Sequence, residues 1–129
     1  MTQNALNQLK SLTTIVADSS DLTAIETFRP LDATTNPSLI TAAANQPENK
    51  QLIELAFEQA RKEGYSSDEL IERTIDILTV KFGVEILKLI EGRVSTEVDA
   101  ALSYDTDATV AKAKELLALY AQYGINQNR

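Results

Sequence analysis

Neither cysteine nor histidine occurs anywhere in this chain of 129 residues. Without cysteine there is no disulfide and no thiol chemistry, and a reducing cytoplasm is allowed as the compartment. Without histidine the commonest general base and the commonest metal ligand are both gone, so acid–base work falls to carboxylates, lysine or tyrosine. Proline and glycine are scarce, at three and four residues, and no stretch is of low complexity, so the composition gives no sign of disorder. No apolar run approaches the roughly 20 residues that a membrane helix needs. Residues 1–12 are polar and amphipathic and lack the apolar centre of a signal peptide. Positive charge is in the minority, with 12 Lys and Arg against 19 Asp and Glu, for a net charge of −7. Such a surface repels phosphate backbones and anionic lipid, which disfavours nucleic acid and membranes as partners. The 43% hydrophobic and 24% charged residues that are present suit a soluble globular chain of one domain or less.

Along the chain, strand and helix patterns alternate. Ala5, Leu6, Leu9 and Leu12 form one helical stripe. The β-branched run at 13–17 predicts a short strand covered on both faces. Asp18 to Asp21 supply N-cap candidates for a helix over 22–28, closed by Pro30. Residues 31–35 read as a second strand, and Asn36-Pro37 as the cap and first position of another helix. A helix over 48–63 turns Leu52, Ile53, Ala56, Phe57 and Ala60 inward, with Gly64 just past its end. Ser66 and Glu69 form a capping-box pattern at the head of a long helix. Its stripe is Ile71, Ile75, Leu78, Phe82, Ile86 and Leu89, and Gly92 ends it. Residues 93–98 read as a third strand. A last helix over 107–123 buries Val110, Ala113, Leu117 and Tyr120 and is stopped by Gly124.

A βα series of this kind predicts parallel strands joined by right-handed crossovers. Either an open doubly wound sheet or a slice of a (β/α)8 barrel accommodates it. The polar strand faces favour the barrel. Arg93, Ser95 and Glu97 share one face of the third strand, and Asp32, Thr34 and Asn36 one face of the second. A sheet buried by helices on both sides rarely tolerates such rows, whereas a barrel points them inward toward a polar mouth. The expected fold class is therefore α/β, a partial (β/α)8 barrel comprising the first three parallel strands and their helices over residues 1–129.

Asp18, Asn36 and Glu97 stand at the carboxyl ends of the three predicted strands, where α/β barrels carry their active sites. Two carboxylates and an amide there could move protons and hold a hydroxylated substrate. Each also has a plainer reading: Asp18 and Asn36 as helix caps, Glu97 as a solvated loop residue or a partner of Arg93. The lysines at 10, 50, 62, 81, 88, 112 and 114 all fall on helical stretches and lack the desolvated pocket that activates an amine nucleophile. Asp99, Asp105 and Asp107 read as loop and cap residues, since no metal-loop spacing accompanies them. No glycine-rich phosphate loop is present.

The segment Asp32-Ala33-Thr34-Thr35-Asn36-Pro37-Ser38-Leu39-Ile40 resembles the N-terminal signature of transaldolases. It is flanked in the matching order by Thr13-Thr14-Ile15-Val16-Ala17-Asp18 and by Gly92-Arg93-Val94-Ser95-Thr96-Glu97-Val98-Asp99-Ala100, and Leu102-Ser103-Tyr104-Asp105 continues the likeness. The resemblance implies a cytoplasmic enzyme of the non-oxidative pentose phosphate pathway that uses no metal or organic cofactor. Its reaction would move a dihydroxyacetone unit from a ketose phosphate, sedoheptulose 7-phosphate or fructose 6-phosphate, to an aldose phosphate, glyceraldehyde 3-phosphate or erythrose 4-phosphate. It also implies roles: Asp18 as the acid/base at the hydroxyl beside the breaking bond, and Glu97 as the carboxylate that works with a water in carbinolamine dehydration. Asn36 would hydrogen-bond the three-carbon unit, with Thr34 and Thr35 in the same substrate-binding motif. The family's Schiff-base lysine belongs to a fourth strand, which would open after a segment like residues 124–129. The expectation is a chain without that lysine, inactive alone, and completed by a complementary C-terminal polypeptide or by homo-oligomerisation. The alternative is a non-catalytic remnant, or a module that binds protein through an exposed sheet edge.

Overall fold

The structure, a computed structural model, describes residues 4–129. The elements run α1 (Ala5–Leu12), β1 (Val16–Asp18), α2 (Leu22–Phe28), β2 (Asp32–Thr35), α3 (Pro37–Ala44), α4 (Lys50–Lys62), α5 (Ser67–Leu87), β3 (Val94–Thr96) and α6 (Thr106–Gln122). Single 3-10 turns at Pro47–Asn49 and Ala100–Leu102 lie between them. The strands pair in parallel in the order β1-β2-β3. All three are shorter than the patterns predict: β1 and β2 start later than expected, and β3 is trimmed at both ends.

Local chemistry explains most of the boundaries. Asp21 caps α2 by accepting from Ala24 N at 3.0 Å, and Asp105 does the same for α6 from Ala108 N at 2.9 Å, so each satisfies an orphan amide of a first turn. At the end of α4, Gly64 N donates to Arg61 O and Tyr65 N to Ala60 O. Gly124 and Ile125 repeat this pair of bonds on Ala121 and Tyr120 at the end of α6. Both glycines are left-handed, with φ of 93° and 75°, the conformation that this two-bond stop demands. Helix α1 buries no side chain; Lys10 Nζ holds it to the end of α2 by donating to Phe28 O and, at 3.1 Å, to Arg29 O.

Several expectations need correction. Ser66 occupies the N-cap position of α5, but its side chain makes no capping hydrogen bond. Ser67 behind it is left-handed, with φ of 55°, and the chain enters the helix without presenting the hydroxyl to the first-turn amides. On α5, Ile71 and Ile75 are 59% and 50% exposed. The buried residues include Arg73, Ile77, Val80 and Leu87 beside the expected Leu78, Phe82 and Ile86. A single stripe presumes one neighbour, whereas α5 touches α3, α4, α6 and β3. Likewise α6 buries Leu116, Leu119 and Tyr120 while Val110 and Leu117 stay exposed, and Phe57 of α4 is exposed too. The first strand is not covered on both faces, since Val16 and Asp18 are exposed.

Ion pairs fasten α4, α5 and α6 to one another. Arg73 donates from Nε to Glu63 Oε2 at 2.6 Å and from Nη1 to Glu115 Oε1 at 2.8 Å, and Lys112 bonds Asp76 at 2.7 Å and Glu115 at 3.1 Å. Burial alone would raise the Glu63 carboxyl, yet the bonded guanidinium outweighs it and holds that group below its ordinary value. At Asp76 burial prevails over Lys112, and the carboxyl lies above its usual range.

Candidate functional site

Register and alternation sort the strand side chains into two faces. β1 and β2 align Val16 with Asp32, Ala17 with Ala33 and Asp18 with Thr34; β2 and β3 align Ala33 with Val94, Thr34 with Ser95 and Thr35 with Thr96. Because side chains alternate, Ala17, Ala33, Thr35, Val94 and Thr96 face the helices. Asp18, Thr34 and Ser95 form one rung on the opposite, open face. Asn36 and Glu97 follow one position past the last paired residues, on the same side as that rung.

The contacts decide between the plainer readings. Asp18 is not the cap of α2, a role that Asp21 fills; its Oδ1 accepts the Thr34 hydroxyl at 2.8 Å. Asn36 does cap α3, Oδ1 accepting from Leu39 N at 2.9 Å. Glu97 is exposed and makes no ion pair with Arg93 among the described residues, where Arg93 Nε donates instead to Asn128 O at 3.3 Å. With Pro37, Ile75 and Asp76 it lines a cavity of about 190 Å³ beside the strand ends. Among the described residues no hydrogen bond joins Glu97 to Asp18 or to Asn36. The geometry thus brings Asp18 and Thr34 into contact and sets Asn36 and Glu97 beyond them.

Thr35 does not join the other four. Its side chain turns to the helix layer, it is 1% exposed, and no ligand on the open face can reach it. Its Oγ1 is buried without a hydrogen-bond partner among the described residues. A hydroxyl left in that state costs about 1–3 kcal/mol. Thr35→Val keeps the shape and removes the oxygen, so it is expected to stabilise the chain by roughly 1 kcal/mol; a urea midpoint that falls would contradict this placement.

The remaining candidates behave as structural groups. All seven lysines lie within helices or, for Lys88, at a helix C-cap. Asp99 Oδ1 caps the turn before α6 by accepting from Ala101 N at 2.8 Å, and among the described residues no cluster of Asp and Glu could hold a metal ion. The Tyr120 hydroxyl bonds the Thr96 hydroxyl at 2.6 Å, and burial raises its phenol above the ordinary value. Sequence reasoning placed Asp32 on the polar face but gave it no task. Its carboxylate accepts from Arg93 N at 2.8 Å, across 61 residues of chain, and no local pattern links positions so far apart.

A family model described as transaldolase/fructose-6-phosphate aldolase matches residues 15–128. The chain belongs to the transaldolase/fructose-6-phosphate aldolase family. The transaldolase of Prochlorococcus marinus subsp. pastoris is 56% identical over 98% of this chain and 39% of its own length. The Homo sapiens transaldolase is 54% identical over 98% of this chain and 38% of its own, and that of Trichormus variabilis 52% identical over 100% and 40%. The chain spans about two fifths of the length of these relatives. Within this transaldolase family, its three parallel strands alternating with helices are a partial (β/α)8 barrel, the fold class expected from the sequence.

Proposed function

We propose that the chain carries the acid–base part of a transaldolase site on the open face of its sheet. The observation that carries the reading is the Asp18–Thr34 hydrogen bond on a rung of the exposed face, with Asn36 and Glu97 just beyond it at the strand ends, where barrel enzymes work. Asp18 takes the proton from the sugar hydroxyl next to the carbon–carbon bond that breaks. The Thr34 bond occupies one carboxylate oxygen and leaves the other as the proton acceptor. Asn36 orients the three-carbon unit through its amide without titrating, and Glu97 works with a water as the carbinolamine loses its hydroxyl.

The Schiff-base amine comes from elsewhere. No lysine of this chain lies on a strand; solvated helix lysines are not activated as nucleophiles, and Lys112 is ion-paired with Asp76 and Glu115, which favours its charged form. The partner that supplies it adds a strand to the free edge of β3. There Val94, Thr96 and Val98, with Leu116, Leu117 and Ile125, line a mainly apolar groove of about 220 Å³. The substrates are the ketose and aldose phosphates of the pentose phosphate pathway, and the setting is the cytoplasm.

The test is borohydride trapping with fructose 6-phosphate, using the chain alone and mixed with a polypeptide corresponding to the remainder of one of its relatives. No adduct is expected on the chain by itself, and an adduct on the partner's lysine in the mixture. A stable complex that traps no sugar would favour a protein-binding module instead. An adduct on any of the seven helix lysines would refute the division of labour.

A further inference from the structure

In a regular parallel ladder a carbonyl accepts from the residue one beyond its own partner. Ala33 pairs with Val94, so Leu31 O should accept from Arg93. It accepts instead from Gly92 at 2.9 Å, while Ala33 N donates to Arg93 O at 2.9 Å. Leu31, just before β2, thus bonds one residue earlier along the entry to β3 than the register of the ladder would give. The entry to β3 holds one extra residue, a bulge. The amide it displaces from the ladder is that of Arg93, and Asp32 Oδ1 accepts it at 2.8 Å. A Cβ on Gly92 would lie 1.9 Å from that same oxygen and 2.5 Å from Leu31 O, so the approach requires glycine.

We propose that Asp32 is a positioning residue for Glu97: by capturing the Arg93 amide it locks the bulge that turns Glu97 to the open face. This rests on the reading of Glu97 as a site carboxylate. Without the extra residue, Ala33 would stand opposite Arg93 and Asn36 opposite Thr96. A one-residue slip sends every side chain to the other face. Ser95 and Glu97 would then point into the layer where Ala33 and Thr35 are 0% and 1% exposed, and Val94 and Thr96 would point outward. The apolar Val94 and Val98 resist that slip as well. The carboxylate adds what they cannot, an acceptor for the one amide that the bulge leaves over.

The full chain can be examined by NMR and amide exchange as wild type, Asp32→Asn and Asp32→Ala. In Asp32→Ala the Arg93 amide should exchange faster by on the order of tenfold or more, as expected for loss of a hydrogen bond to a charged group. The Thr34–Ser95 cross-strand contacts should be lost and the Glu97 resonances moved. Asp32→Asn keeps an acceptor oxygen in place and should restore the contacts and the Glu97 resonances. Cross-strand contacts that survive in Asp32→Ala, or are lost equally in Asp32→Asn, would overturn the assignment. Should the alanine variant fail to fold, an unprotected Arg93 amide in the wild type would also overturn it. No sugar enters these measurements, so their failure and that of the trapping experiment are separable.

Discussion

Asp18→Asn is expected to cut the turnover of the completed enzyme by about 10²–10⁴-fold, the range typical of a lost general acid–base group. The substitution is nearly isosteric, and an amide oxygen still accepts from the Thr34 hydroxyl that now bonds Asp18 Oδ1 at 2.8 Å. Only the capacity to take a proton is removed. Asp18 is exposed, so the change leaves no buried group stranded, and stability should move by no more than about 0.5 kcal/mol. Steady-state rates on the chain joined with its complementary polypeptide, read beside melting curves, test both halves. A variant keeping more than a tenth of the wild-type rate would remove Asp18 from the role.

Gly83→Ala should be the most damaging of the stability changes. The glycine lies within α5, where alanine is ordinarily the better residue by about 1 kcal/mol. Here the added Cβ would fall 1.8 Å from the Tyr120 hydroxyl oxygen and 2.8 Å from Cζ. Tyr120 is 7% exposed and cannot swing aside freely. Displacing it breaks the bond to Thr96, the residue before Glu97. Overpacking of this kind costs about 1–3 kcal/mol, and the lost hydrogen bond about 1 kcal/mol more. Set against the gain of about 1 kcal/mol from helix propensity, a net loss of roughly 1–3 kcal/mol would lower the melting temperature by on the order of 10 °C. An unchanged or raised melting temperature would mean that the tyrosine does not pack against α5 as described.

Much of the fold was readable because its signals are local. Helix α2 falls on the predicted residues 22–28, Asn36-Pro37 opens α3, and Gly64 and Gly124 mark helix ends through positive φ. Each of these is decided within five residues. On α5 and α6 Leu78, Phe82, Ile86 and Tyr120 are buried as the stripes predict, whereas Ile71, Ile75, Val110 and Leu117 are exposed, because burial depends on how many neighbours surround a helix and periodicity reports only one direction. Of the candidate site, Asp18, Thr34, Asn36 and Glu97 were recognisable by position and by motif. Thr35 was grouped with them because a motif is linear, whereas a strand sends adjacent residues to opposite sides. The task of Asp32 was hidden for a different reason: the amide it satisfies exists as an orphan only once β2 and β3 have met.

The cap on α3 has a consequence for what the barrel mouth can accept. Because the Leu39 amide uses one lone pair of the Asn36 carbonyl oxygen, the cap sets how the side chain is turned, and it offers an arriving molecule two N–H donors against a single remaining lone pair. The junction between strand and helix therefore acts as a polarity filter. Oxygens with lone pairs to give are favoured at that point, two donors standing against one remaining acceptor site.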